Sequence, residues 1–229
     1  MMRVFKTSAV LCGACVLGWL TACGPSPDPH GSSSDDEMAM EPVRDERPVI
    51  LFLGDSLTAG YRLDPEQAYP ALIQAELDER GIAYRAVNAG VSGETSTDGL
   101  GRLDWLLRQP VEVLVLALGA NDGLRGLPVD LIRGNLDQIF RRTRERYPDA
   151  RLVLAGMQMP VNFGPDYTAA FQSMYTDLAA DWDAVLIPFL LEEVAGRAVL
   201  NLEDGIHPNA QGHAVLARTV WSHLKPLLE

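Results

Sequence analysis

An α/β fold with a parallel sheet and helices on both faces is what this chain predicts, and three observations predict it. Short continuous apolar runs recur between residues 49 and 187, as expected of strands buried on both faces. Stretches with apolar residues at steps of three and four lie between those runs. Loops rich in Gly, Asp and Asn separate the two kinds of segment. Strands alternating with helices give a parallel sheet, and the ligand crevice of such a sheet lies beyond the carboxyl ends of its strands.

Taken in chain order, the first strand is Val49-Ile50-Leu51-Phe52-Leu53, uninterrupted by any polar residue. Ala83 to Val87 is a weaker strand, and Val113 to Leu118 is a second strong one. Ile132, Leu136, Ile139, Phe140, Thr143 and Tyr147 then mark one face of a helix. Leu152 to Ala155 is a short strand. Tyr167, Ala170, Phe171, Met174, Tyr175, Leu178, Ala179 and Trp182 mark a second helix, and Val185 to Ile187 the last strand. Ala210, Ala214, Ala217, Val220, Trp221 and Leu224 close the chain as a helix. These aromatic and Met stripes read as core-facing surfaces. His213 and His223 fall inside the last helix and read as structural.

Composition bounds the function. The chain has 229 residues, 47% of them hydrophobic and 22% charged, with a net charge of −12. That balance suits an ordinary globular domain and carries no basic footprint for nucleic acid. Residues 48–229 read as one domain, with no internal repeat. No interface stripe is visible, so a monomer is expected.

Residues 1–23 read differently. Arg3 and Lys6 precede an uncharged run from Thr7 to Leu20, too short to span a membrane and suited to a signal peptide. Leu20-Thr21-Ala22-Cys23-Gly24 follows and resembles a bacterial lipobox, in which Cys23 is acylated and becomes the first mature residue. The expectation is an exported lipoprotein held at a membrane by its N-terminal lipid, on the periplasmic side. By resemblance to enterobacterial sorting signals, Gly24 rather than Asp after the cysteine implies the outer membrane. Losing Arg3 and Lys6 takes the net charge from −12 to −14. All three cysteines lie in this leader, so residues 48–229 have no disulfide, thiol nucleophile or cysteine metal ligand. Residues 24–47 are rich in Pro, Ser, Asp and Glu and read as a disordered tether reaching roughly 25–30 Å.

Four stretches carry the chemistry. Gly54-Asp55-Ser56-Leu57-Thr58-Ala59-Gly60 follows the first strand. Serine on a turn that opens a helix sits where negative charge is welcome, although serine is also a common helix cap. In Asn88-Ala89-Gly90-Val91, Gly90 offers either an N–H to an oxyanion or a plain turn. In Gly119-Ala120-Asn121-Asp122-Gly123, Asn121 is either a side-chain donor into the crevice or a turn former. In Asp204-Gly205-Ile206-His207-Pro208-Asn209, an acid three residues before a histidine can fix the tautomer of a general base.

Together the four stretches resemble the GDSL/SGNH hydrolase superfamily, named for a Ser, Gly, Asn and His that here are Ser56, Gly90, Asn121 and His207. Within it, the chain closely resembles the bacterial multifunctional thioesterase/lysophospholipase/arylesterase group. The shared text includes Ser92-Gly93-Glu94-Thr95-Ser96, Asn121-Asp122-Gly123-Leu124-Arg125-Gly126 and Asp204-Gly205-Ile206-His207-Pro208-Asn209. The resemblance implies a flavodoxin-like three-layer sandwich on a five-stranded parallel sheet. It implies Ser56 as nucleophile, His207 as base and then acid, and Asp204 as the residue that orients His207. The backbone N–H groups of Ser56 and Gly90 and the amide of Asn121 would form the oxyanion hole. Gly123, Leu124 and Arg125 resemble the family's loop beside the acyl site, and Met159, Pro160, Asn162 and Phe163 a loop touching the acyl chain. The implied substrates are small acyl esters and thioesters, with lysophospholipids as a further class. Carbohydrate O-acetylesterase activity is an alternative that other superfamily members fill, and a non-catalytic surface lipoprotein is a third reading. No metal or cofactor is called for; no phosphate loop supports the flavin binding that the fold alone would suggest.

Overall fold

The computed structural model describes residues 45–229. The leader, Cys23 and the tether up to residue 44 lie outside the described residues.

Five strands form one parallel sheet: β1 (Val49–Gly54), β2 (Arg85–Gly90), β3 (Val113–Ala117), β4 (Arg151–Ala155) and β5 (Val185–Ile187), in the spatial order β2-β1-β3-β4-β5. Every residue of β1 and β3 is buried, which is why both read as unbroken apolar runs. The register sets Leu53 beside Leu116 and Ala89, and Gly54 beside Ala117 and Gly90. The ends of β1, β2 and β3 therefore finish level. β2 begins two residues later than its sequence pattern suggests and runs on to Gly90, because an edge strand needs no apolar sequence on both faces.

The longer helices are α2 (Tyr69–Glu79), α3 (Ser96–Leu106), α5 (Val129–Arg146), α6 (Pro165–Trp182) and α7 (Ala210–Leu228); α1 (Ser56–Ala59) and α4 (Ala120–Leu124) are single turns. The path from β1 to β2 runs one way along the sheet and every later crossover runs the other. Right-handed crossovers then put α2 on one face and α3, α5 and α6 on the other. The packing agrees: α2 lies on α7, and α5 lies between α3 and α6.

The sequence pattern missed three helices, α2 to α4, while α1 was expected only as the turn at Ser56. In α2, Pro70 looks like a breaker but sits in the first turn, where proline is tolerated, and Tyr69, Ile73 and Leu77 form the buried stripe. In α3, Gly99 and Gly101 weaken the helical signal by roughly 1 kcal/mol each. A capping box between Thr95 and Asp98 starts that helix instead. α1 and α4 are too short to show a period.

Candidate active site

The order of the strands reverses between β1 and β3, and the segments leaving those two strands diverge there. Such a switch point opens a crevice at the carboxyl ends of the strands. Ser56 enters it from β1 and Asn121 from β3.

Ser56 is the first residue of α1, so its N–H belongs to the group for which a helix supplies no internal acceptor. Asp55 caps the turn, its Oδ1 accepting the Leu57 N–H at 3.0 Å. Serine at this position is therefore not the cap, and its hydroxyl is left for other partners. Gly60 closes the turn in the left-handed region at φ 76°.

His207 and Asp204 come from one short loop. Oδ1 of Asp204 accepts the N–H groups of Ile206 and His207, each at 3.0 Å. Its Oδ2 lies 2.9 Å from His207 Nδ1. The backbone turn thus presents the carboxylate to the ring three residues on. The loop is pinned by the Leu202 N–H donating to the His207 carbonyl at 2.7 Å, and by Asn209, which caps α7. His207 Nε2 then reaches Ser56 Oγ at 3.0 Å, across 151 residues of sequence. A carboxylate only accepts hydrogen bonds, so Nδ1 carries the proton and Nε2 accepts from the serine hydroxyl. Tyr61 lies against the imidazole at a centroid distance of 4.5 Å, and the Arg62 guanidinium lies 5.2 Å from the Tyr61 ring.

Asn121 rides on α4. Gly119 precedes it at φ 110°, a conformation that favours glycine, and a Cβ there would meet Tyr175 Oη at 2.5 Å. The Asn121 amide donates to the Glu94 carbonyl at 2.9 Å and approaches Asp55 Oδ2 at 3.3 Å. The next residue, Asp122, is fully buried, taking the Ser96 N–H at 2.8 Å and the Ser96 hydroxyl at 2.6 Å. Asn135 donates to Ser96 Oγ and Thr97 Oγ1, both at 2.9 Å. α4 is in this way fastened to the start of α3.

Gly90 ends β2. A Cβ at this position would stand 2.2 Å from the Ala59 backbone nitrogen, so only glycine lets α1 pack here. Its N–H donates to Asn88 Oδ1 at 2.9 Å, a neutral side-chain acceptor two residues back.

Electrostatics separate the two acids of the site. Asp204 is held down to a pKa of about 2, mainly by the hydrogen bond from the His207 backbone, then by the His207 ring and the Ile206 N–H. Asp55 is raised to about 6, chiefly by burial. His213, buried in α7, is lowered to about 4 by burial and by His207; its Nδ1 accepts the Tyr69 N–H at 3.1 Å.

Beside Ser56 and His207 lies a crevice of about 260 Å³. Leu57, Leu124, Met157, Met159, Pro160, Phe189, Leu191 and Ile206 supply its apolar lining. Of the residues singled out in sequence, Ser56, Asn121 and His207 border it, and of the two substrate loops Leu124, Met159 and Pro160 are in the lining. Gly123 packs behind it, where a Cβ would meet Met159 Sδ at 2.5 Å. Arg125 points to the Gly93 carbonyl, at 3.1 Å. Asn162 is exposed, and Phe163 stacks on Tyr167 instead, at 5.9 Å. Met157, Phe189 and Leu191 carried no motif; their only signal was apolar sequence just after β4 and β5. Tyr61, Asp55 and the Asp122 network also went unassigned in the sequence.

Residues 52–215 match the model of the GDSL-like lipase/acylhydrolase family. Esterase TesA of Pseudomonas aeruginosa is 42% identical over 181 residues, covering 79% of this chain and 89% of that protein. Thioesterase 1/protease 1/lysophospholipase L1 of Escherichia coli K12 is 40% identical over 182 residues, covering 79% and 85%. The crystal structure of TesA superposes with a TM-score of 0.74 at 41% identity, covering 78% of this chain and 99% of that one. The psychrotrophic esterase EstA from Pseudoalteromonas sp. superposes equally well, with a TM-score of 0.74 at 35% identity, covering 79% and 98%. With this sheet order and these four sequence blocks, the chain belongs to the GDSL-like lipase/acylhydrolase family and is a hydrolase of the esterase class.

Proposed function

We propose that the protein hydrolyses acyl esters and thioesters through an acyl-enzyme on Ser56. The observation that carries this reading is the unbroken series Asp204 Oδ2, His207, Ser56 Oγ, with links of 2.9 and 3.0 Å, at the mouth of an apolar crevice. Ser56 Oγ attacks the carbonyl carbon as His207 Nε2 takes its proton. The tetrahedral oxyanion receives the N–H groups of Ser56 and Gly90 and the amide of Asn121. The carbonyl re-forms, His207 protonates the departing alcohol or thiol, and the acyl group stays on Ser56. Water, deprotonated by His207, then attacks the acyl-serine and releases the carboxylic acid. Asp204 holds the proton-bearing Nδ1 in place and stabilises the imidazolium.

The crevice suits an acyl chain of several carbons better than an acetyl group. Each buried methylene contributes about 0.8 kcal/mol, so several should raise kcat/KM well above the acetyl value. The thioesterase and lysophospholipase names of the relatives support the same range of leaving groups.

Incubating residues 24–229 with a fluorophosphonate probe and mapping the adduct by mass spectrometry tests the nucleophile. Labelling at Ser56, absent in Ser56→Ala, is expected; a folded protein that takes no label refutes the reading. Preference for acetyl over octanoyl esters would point to an O-acetylesterase.

Cys23 is proposed as the lipid attachment site, with the domain tethered to the periplasmic face of a membrane, in line with the lipobox text around it. Incorporation of an alkynyl fatty acid should be lost in Cys23→Ser.

A further inference from the structure

We propose that Arg102 and Glu94 form a single positioning element that holds both oxyanion donors outside α1. The proposal rests on the reading that Gly90 and Asn121 are those donors.

Arg102 lies on α3, away from the crevice lining, and its fork grips Glu94 through both Nε and Nη2. The side chain of Glu94 is 6% exposed and that of Arg102 24%, so the pair is largely withdrawn from water. A buried carboxylate without a cation is strongly unfavourable, which locks the two together. Each partner then reaches a different half of the oxyanion side. Arg102 Nη2 also donates to the Ala89 carbonyl. That carbonyl and the Gly90 N–H belong to one planar peptide, with the two groups pointing opposite ways. Gripping the carbonyl from α3 fixes the plane and aims the N–H away from Arg102. A charged donor on the carbonyl also polarises the amide and makes its N–H a better donor. Glu94, for its part, receives the Asn121 amide on its backbone oxygen at 2.9 Å. One guanidinium thus ties the end of β2 to the loop that seats Asn121, while cancelling a buried negative charge beside the place where an anion forms.

The fork is needed for this. A lysine ammonium keeps the charge but cannot match two carboxylate oxygens and a carbonyl from one planar group.

The test is a double-mutant cycle on kcat and KM with an octanoyl ester, using thermal melts to establish folding. Asn121→Ala alone is expected to lower kcat about 10²–10³-fold. Arg102→Lys alone should lower kcat about tenfold with KM within about twofold. The double variant should lose less than the product of the two single losses, because the part of the Arg102 effect that passes through Asn121 is already gone in Asn121→Ala, while the part that passes through Gly90 remains. Unchanged kcat in Arg102→Lys, or losses that simply multiply, overturns the proposal and leaves the oxyanion assignment standing. If Asn121→Ala itself keeps full kcat, that assignment fails and the proposal falls with it. Glu94→Gln, which keeps the backbone carbonyl and breaks only the ion pair, runs the same cycle if Arg102→Lys does not fold.

Discussion

Two aspartates stand at the site and their fates are opposite. Asp204 is exposed and accepts three hydrogen bonds, two from backbone N–H groups and one from His207, which hold it anionic down to about pH 2. Asp55 is 2% exposed, accepts from Leu57 and more distantly from Asn121, and faces no cation within hydrogen-bond reach among the described residues; burial raises it to about 6. Residue type does not decide which acid serves the histidine. Position on a polar loop does so for Asp204, and burial between two strand ends makes Asp55 a cap whose charge is a strain on the fold.

The largest effect expected is at the histidine itself. His207→Ala should lower turnover about 10⁴–10⁶-fold, measured as single-turnover acyl release. Asp204→Asn should lower kcat about 10²–10⁴-fold, because the wrong tautomer is then favoured. Asp55→Asn should keep kcat within about tenfold. Equal losses in the two asparagine variants would erase the contrast.

Stability against pH sharpens the comparison further. The folded-state pKa of Asp55 is raised, so between pH 3.8 and 6 the folded state binds more protons than the unfolded one. Stability falls as pH rises through that window. Asp55→Asn, an equally good cap, should therefore gain up to about 3 kcal/mol at pH 7 in urea melts, a gain that disappears near pH 4.

His213 works the other way. Its folded-state pKa is lowered from 6.5 to about 4, so the unfolded state binds more protons between those values and stability falls as pH falls. The two slopes oppose one another in the native protein. Asp55→Asn should make stability drop on acidification from pH 6 to 4. His213→Gln, worth on the order of 2 kcal/mol, should make it rise. Identical pH profiles for the two variants would show that neither group titrates as its surroundings imply.

The legible parts of the site were those built from neighbours in sequence. Asp204 and His207 are three residues apart, so the loop that pairs them could be read directly. Ser56 and Asn121 follow strands and Gly90 ends one, and parallel strands deliver their carboxyl ends to one edge. The strands β1 and β3 were legible because burial on both faces leaves no room for polar residues. Helix α3 was not, since its glycines obscure the period and its start depends on a cap.

By itself the sequence determined the family, the five strands, the three longest helices and the residues of the four blocks, since periodicity and short motifs are local properties. Only the tertiary structure decided that His207 meets Ser56, and that Arg102 reaches both the Ala89 carbonyl and Glu94. It also decided that Met157, Phe189 and Leu191 share a crevice with Leu124, and that Asp55 is buried while Asp204 is not. These depend on which strand ends lie side by side and which helix covers them. Burial and charge pairing are properties of that packing, and no residue carries them alone.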